Sequence, residues 1–130
     1  MEIKTFINQI ADENSYLLTS DSGHQLLIDP GSDLDYLLEI TDLKAVLLTH
    51  AHFDHILGLN ILLEKYPQLA VYLDKAEKEW MTNPLLNYSK QMLGEDFTTK
   101  EATDYYTLNQ TINLADFNFS VRATPGHSIG

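Results

Sequence analysis

The chain has 130 residues, of which 44% are apolar and 21% charged: enough for one domain, and too apolar for a disordered chain. Asp and Glu number 19 against 8 Lys and Arg, a formal net charge of −11, which repels phosphate backbones and anionic lipid alike. No cysteine is present, so disulfide frameworks, Cys-ligated metals and thiol nucleophiles are excluded.

Residues 2–8 read as a strand, with Ile3, Thr5 and Ile7 alternating against Lys4 and Phe6. Residues 15–28 read as a β-hairpin around the turn Asp21-Ser22-Gly23-His24. Asp29-Pro30-Gly31 stops it, because Pro lacks an N–H and Gly admits positive φ. Ser32 or Asp33 can cap a short helix to Ile40, with Leu34, Leu37 and Leu38 at helical spacing. The run Leu43 to Thr49 suits a strand buried on both faces. Ile56 to Tyr66 reads as a helix with Pro67 beyond its end, Leu69 to Leu73 as a strand, and Asp74 as the cap of a helix to about Met81. Residues 82–109 read as a long excursion with one short helix. Thr111 to Leu114 and Phe117 to Ala123 are the last strands, ending at Thr124-Pro125-Gly126-His127. Strands alternating with helices after an antiparallel start predict one α/β layered domain over residues 1–130.

The N-terminus lacks a basic start followed by an apolar stretch, so it does not read as a signal peptide. The longest apolar runs fall far short of a membrane span. The expectation is a soluble cytoplasmic protein that acts on a small molecule, with no nucleic-acid or membrane partner.

The chemistry concentrates in Thr49-His50-Ala51-His52-Phe53-Asp54-His55, just past an apolar strand. If the backbone stays extended, His50 and His52 project to one side, because side chains alternate with period two. Two imidazoles so placed can share a metal ion. The neighbours Asp54 and His55 are expected to point apart and to suit a second ion beside the first. Neutral imidazole and carboxylate are ligands that zinc accepts, and α/β folds place sites at the carboxyl ends of strands. A lone His at a strand end is ordinarily a surface or hydrogen-bonded residue. Three His and an Asp within the six positions 50–55 outweigh that reading. His127, at the end of another strand, is the candidate third imidazole. His24 reads as a solvated turn residue.

His50-Ala51-His52-Phe53-Asp54-His55 followed by Gly58 resembles the HxHxDH signature of the metallo-β-lactamase superfamily. Thr124-Pro125-Gly126-His127-Ser128 resembles its next metal-binding loop, and Leu27-Ile28-Asp29-Pro30-Gly31 its strand and turn ahead of the first motif. Within the superfamily the chain is most similar to the glyoxalase II-like, or hydroxyacylglutathione hydrolase-like, branch, to which Asn87-Tyr88-Ser89 and the stretch Gly94 to Phe97 also correspond. The resemblance implies the N-terminal half of an αββα sandwich. It implies a first metal on His50, His52 and His127, a second site begun by Asp54 and His55, and Asp29 in support of the His loop. The metals would be one or two zinc ions, with iron or manganese as alternatives. The implied activity is thioester hydrolysis by metal-activated water, with Asp54 orienting the nucleophile. The competing readings are a persulfide dioxygenase using one iron, a nuclease, a lactamase, and a truncated chain that binds metal without turnover. The family places a metal-bridging acid and a final His beyond the position of His127, and three residues follow it here. The sequence therefore reads as an N-terminal portion, and an exposed inner face of a half-sandwich would favour self-association.

Overall fold

A computed structural model describes residues 1–130. Six strands form one sheet in sequential order: β1 (Glu2–Ile7), β2 (Asn14–Thr19), β3 (Gln25–Ile28), β4 (Leu43–Leu47), β5 (Ala70–Leu73) and β6 (Asp104–Tyr105). The first two pairings are antiparallel and the remaining three parallel. A separate antiparallel hairpin joins β7 (Thr111–Leu114) to β8 (Phe117–Ser120). Central strands β3 and β4 are apolar on both faces because both faces are covered. Leu27, Val46 and Leu48 join the larger core with Leu59, Leu62 and Met81. Leu26, Ala45 and Leu47 face the other way, where Phe117 of β8 covers them. That second face keeps an open groove of about 260 Å³ beside Ile28, Tyr106 and Phe119. No helix is long and apolar enough to cross a membrane.

The expected helix from residue 32 or 33 to 40 is a 3₁₀ turn, Asp35–Glu39, entered through Leu34 at φ 63°. It buries Tyr36, while Leu38 is 87% exposed. Tertiary contacts override the periodicity: Asp33 Oδ2 accepts from Gln9 N–H instead of capping, and Tyr36 Oη donates to Gly31 O at 2.8 Å. The helix expected from Ile56 begins later, as α1 (Leu59–Lys65). Gly58 marks the reason. Its N–H donates to Pro30 O at 3.0 Å, and a Cβ there would fall 2.7 Å from Gly31 O.

Asp74 caps its segment as expected, with Oδ1 accepting Ala76 N–H at 2.9 Å, but Lys75–Thr82 winds as a 3₁₀ helix. Residues three apart eclipse in that winding, which sets Glu77 and Trp80 on one side. The excursion holds one short helix, α2 (Ser89–Leu93), and also supplies the two-residue edge strand β6, which its sequence pattern did not announce. β8 ends at Ser120, short of the expected Ala123.

Candidate metal centre

β4 ends at Leu47, and Leu48 keeps one sheet bond, donating to Tyr72 O at 2.9 Å. Thr49 then leaves the sheet and is captured by Asp29, which follows the neighbouring strand β3. Asp29 Oδ1 accepts the Thr49 N–H at 2.8 Å, and Oδ2 accepts its hydroxyl at 2.6 Å. Asp29 holds φ 52°, a left-handed conformation that Asp and Asn adopt more readily than other side chains.

The Thr49 hydroxyl spends its only proton on Asp29, so its oxygen accepts from His50 Nδ1–H at 2.9 Å. This network assigns His50 the tautomer with a bare Nε2. That nitrogen is buried and has no hydrogen-bond partner. A buried lone pair without a partner is costly, and a cation satisfies it. His52, extended as expected (φ −66°, ψ 149°), sets its ring 4.7 Å from that of His50. Its Nδ1 lies 3.0 Å from Nε2 of His127, whose ring is 4.9 Å from that of His50. One ligand nitrogen from each of the three lies within 4.8 Å of the others. Trp80 stacks on His52 from outside, ring centroids 5.3 Å apart.

The electrostatics suit metal binding. Burial, then repulsion from His55, His52 and His127, pushes the His50 pKa down to about 3. Burial and His127 also lower that of His52. Both imidazoles therefore present lone pairs rather than protons at neutral pH, as ligation requires. Orphaned nitrogen, convergent imidazoles and suppressed protonation together fit a metal ion at this position.

His55 belongs to a different group. Its ring lies 4.0 Å from that of His50, yet its Nδ1 contacts Asp29 Oδ2 at 2.9 Å and Glu13 Oε1 at 3.4 Å. Burial pulls its pKa down, but the Asp29 hydrogen bond and charge, with Asp54 and Glu13, outweigh burial and raise it. The expected divergence of Asp54 and His55 does not occur. Phe53–His55 forms a 3₁₀ turn that brings Asp54 Oδ2 to 3.4 Å from His55 Nε2.

All five sequence candidates thus meet at one centre: His50, His52 and His127 together, with Asp54 and His55 beside them. His24 is not a free turn residue, since its Nδ1 lies 2.7 Å from Asp42 Oδ2. Sequence reasoning missed Glu13, Glu77 and Thr49. The β2–β3 register pairs Tyr16 with Ile28, which continued outward sets Ser15 against Asp29 and brings Glu13 nearby. Asp74-Lys75-Ala76-Glu77 has the spacing of a capping box, a misleading signal, because Glu77 turns instead to Ala51 N–H at 2.7 Å. Asn87, fully buried, ties the excursion to the same loop: its carbonyl accepts Phe53 N–H at 2.8 Å.

Residues 11–129 match the family model of the metallo-beta-lactamase superfamily. The chain belongs to that superfamily. A "probable metallo-hydrolase" of Streptococcus pyogenes serotype M6 is 36% identical over 100% of this chain and 59% of its own length. A hydroxyacylglutathione hydrolase of Salmonella arizonae is 31% identical over 92% of the chain and 41% of its own length. Among solved structures, the BLEG-1 B3 metallo-beta-lactamase superposes with a TM-score of 0.91 at 35% identity, covering 99% of this chain and 64% of that one. The chain therefore spans 41% to 64% of these relatives, and its α/β architecture is part of a metallo-β-lactamase-type fold.

Proposed function

We propose that this chain carries the metal-holding portion of a hydrolase whose substrate is a small thioester of the hydroxyacylglutathione type. The observation that carries the reading is the buried, partnerless Nε2 of His50 facing His52 and His127. Those three residues would hold the first ion, and Asp54 with His55 would begin a second site. A bound ion supplies Lewis acidity and lowers the pKa of water from 15.7 toward about 7. Asp54, whose Oδ2 lies 3.4 Å from His55 Nε2, would orient the attacking water by accepting a hydrogen bond from it. Thr49 and Asp29 hold the His50 lone pair toward the centre throughout. A thiolate leaves without prior protonation, so no general acid is required on that side, and a net charge of −11 disfavours nucleic-acid substrates.

The β-lactam alternative has one specific support, the close superposition on a B3 metallo-beta-lactamase. Elemental analysis of protein purified without added metal, followed by parallel assays with a hydroxyacylglutathione and a β-lactam on the full-length gene product, separates the readings. Zinc near one equivalent or more with thioester turnover is the expected result. Turnover of the β-lactam alone would overturn the thioester reading, iron would redirect it to the dioxygenase branch, and absence of metal would overturn the metal assignment.

A further inference from the structure

His50 and His52 come from the loop after β4, whereas His127 comes from a segment 75 residues beyond His52 in sequence. The two pieces need a common anchor if three imidazoles are to meet. Glu77 is fully buried, and its two carboxylate oxygens serve different segments. Oε1 accepts the N–H of Ala51, the residue between His50 and His52, at 2.7 Å. Oε2 accepts the hydroxyl of Ser128, the residue after His127, and the Gly130 N–H at 2.7 Å. The approach is tight: a Cβ on Gly130 would lie 2.6 Å from Oε2. Asp74 caps the 3₁₀ segment beneath, and Trp80 of that segment supports His52.

We propose that Glu77 is the positioning residue of the metal centre, a carboxylate latch that fixes the His127 segment against the His50/His52 loop. The inference rests on the metal reading above. A carboxylate is suited to the role because both oxygens only accept, and all three partners donate. An amide cannot replace it. In Glu77→Gln the new NH₂ faces a backbone N–H in either orientation, Ala51 on one side or Gly130 on the other, and only the Ser128 hydroxyl can reverse to accept from it, so a backbone grip is lost while the shape is kept. Hydrogen bonds to a charged acceptor are about twice as strong as neutral ones, so releasing either segment frees one side of the triad.

The test uses the full-length gene product with cobalt(II) as the probe and metal-free NMR as a second readout. The wild type is expected to bind cobalt with the intense visible absorption of a four-coordinate site. Glu77→Gln is expected to keep the far-UV circular dichroism but to give the weak spectrum of His127→Ala. In the metal-free protein it should also lose the nuclear Overhauser contact between the His52 and His127 rings. Ser128→Ala, which removes one of three donors, should weaken cobalt binding by about tenfold and guards against a Glu77 variant that does not fold. A folded Glu77→Gln with wild-type spectrum and an intact ring contact would overturn the latch, as would unchanged affinity in Ser128→Ala. If the wild type binds no cobalt, the metal reading fails, and the ring contact alone decides the latch.

Discussion

His50 and His55 have ring centroids 4.0 Å apart yet sit in opposite fields. One is pushed toward the neutral form, the other toward the protonated form. The same Asp29 serves both. It touches His55 directly at 2.9 Å and reaches His50 only through the Thr49 hydroxyl. A direct carboxylate contact stabilises a proton on the imidazole, whereas a relay through a neutral hydroxyl fixes the tautomer and transmits little charge. Distance to the acid, counted in intervening hydrogen bonds, separates a histidine that is already neutral from one that holds a proton in the metal-free chain and would have to release it to a second ion.

The largest expected effect comes from removing that charge without changing shape. Asn adopts the left-handed backbone of position 29 as readily as Asp, so Asp29→Asn changes the charge and the donor pattern while keeping the shape. With its oxygen on the Thr49 N–H, its NH₂ faces both the Thr49 hydroxyl and His55 Nδ1. The hydroxyl must then reverse and donate to His50 Nδ1, which shifts the His50 proton onto Nε2 and closes the lone pair. Metal affinity should fall by about 10- to 100-fold, the usual cost of losing an outer hydrogen-bond partner. Imidazole ¹⁵N shifts should show the tautomer reversal. Unchanged shifts would break the relay.

Thr49→Val cuts only the indirect arm. It keeps the backbone N–H to Asp29 and the direct Asp29–His55 contact, so the two histidines should part company. Cobalt affinity should drop by about tenfold, the lower end of the same range, while the raised pKa of His55, followed by NMR titration, stays in place. A matching fall in the His55 pKa would show that the two arms are not separable.

The opposite fields also predict opposite pH limbs in the metal-free protein. The unfolded chain protonates His50 below its ordinary pKa of 6.5, and the folded chain only near 3. His50 therefore contributes stability in full above 6.5 and loses it as pH falls through that window. The raised pKa of His55 works the other way: its contribution is full below 6.5 and fades as pH rises through the folded value. Melting temperature against pH should thus show a shallower acid decline in His50→Gln, the remainder belonging to His52, and a weaker low-pH support in His55→Gln.

The His50 and His52 pair was legible because strand alternation carries side chains to a known side, and His52 is extended; His127 was reached instead through the resemblance of Thr124 to Ser128 to a metal-binding loop, since β8 ends at Ser120. What sequence periodicity misread were the short segments. Leu34, Leu37 and Leu38 have helical spacing, yet Asp33 is recruited by Gln9 and Tyr36 by Gly31, and Leu38 ends in solvent. Asp54 and His55 were expected to diverge because adjacent residues do so in a strand, and a 3₁₀ turn removes that premise. Glu77 and Glu13 were invisible for another reason. Their partners lie 26 residues or more away for Glu77; Glu13 meets Asp29 across a hairpin and His55 from beyond β4. No local pattern encodes such contacts.

Glu13 gives the smallest effect and the sharpest test of the comparison. Its Oε1 is buried without a hydrogen bond, and its Oε2 accepts from Asn8 Nδ2 at 2.7 Å. Burial pushes its pKa up to about 8, with the His55 charge opposing and Asp29 assisting. A raised carboxyl pKa means its favourable contribution is complete below the ordinary value of 4.5 and is lost as pH rises through about 8. Glu13→Gln keeps the Asn8 acceptor and cannot ionise. It should match the wild type at acid pH and melt some 4–8 °C higher at alkaline pH, the shift that about 1 kcal/mol produces in a small domain. Asp29 and Glu13 flank the same histidine, so the pair of neutral variants should give opposite outcomes: Asp29→Asn disables the centre, and Glu13→Gln steadies it. Equal losses from both would mean that His55 needs two charged acids, and the contrast between it and His50 would then rest on total acidic charge rather than on the path to Asp29.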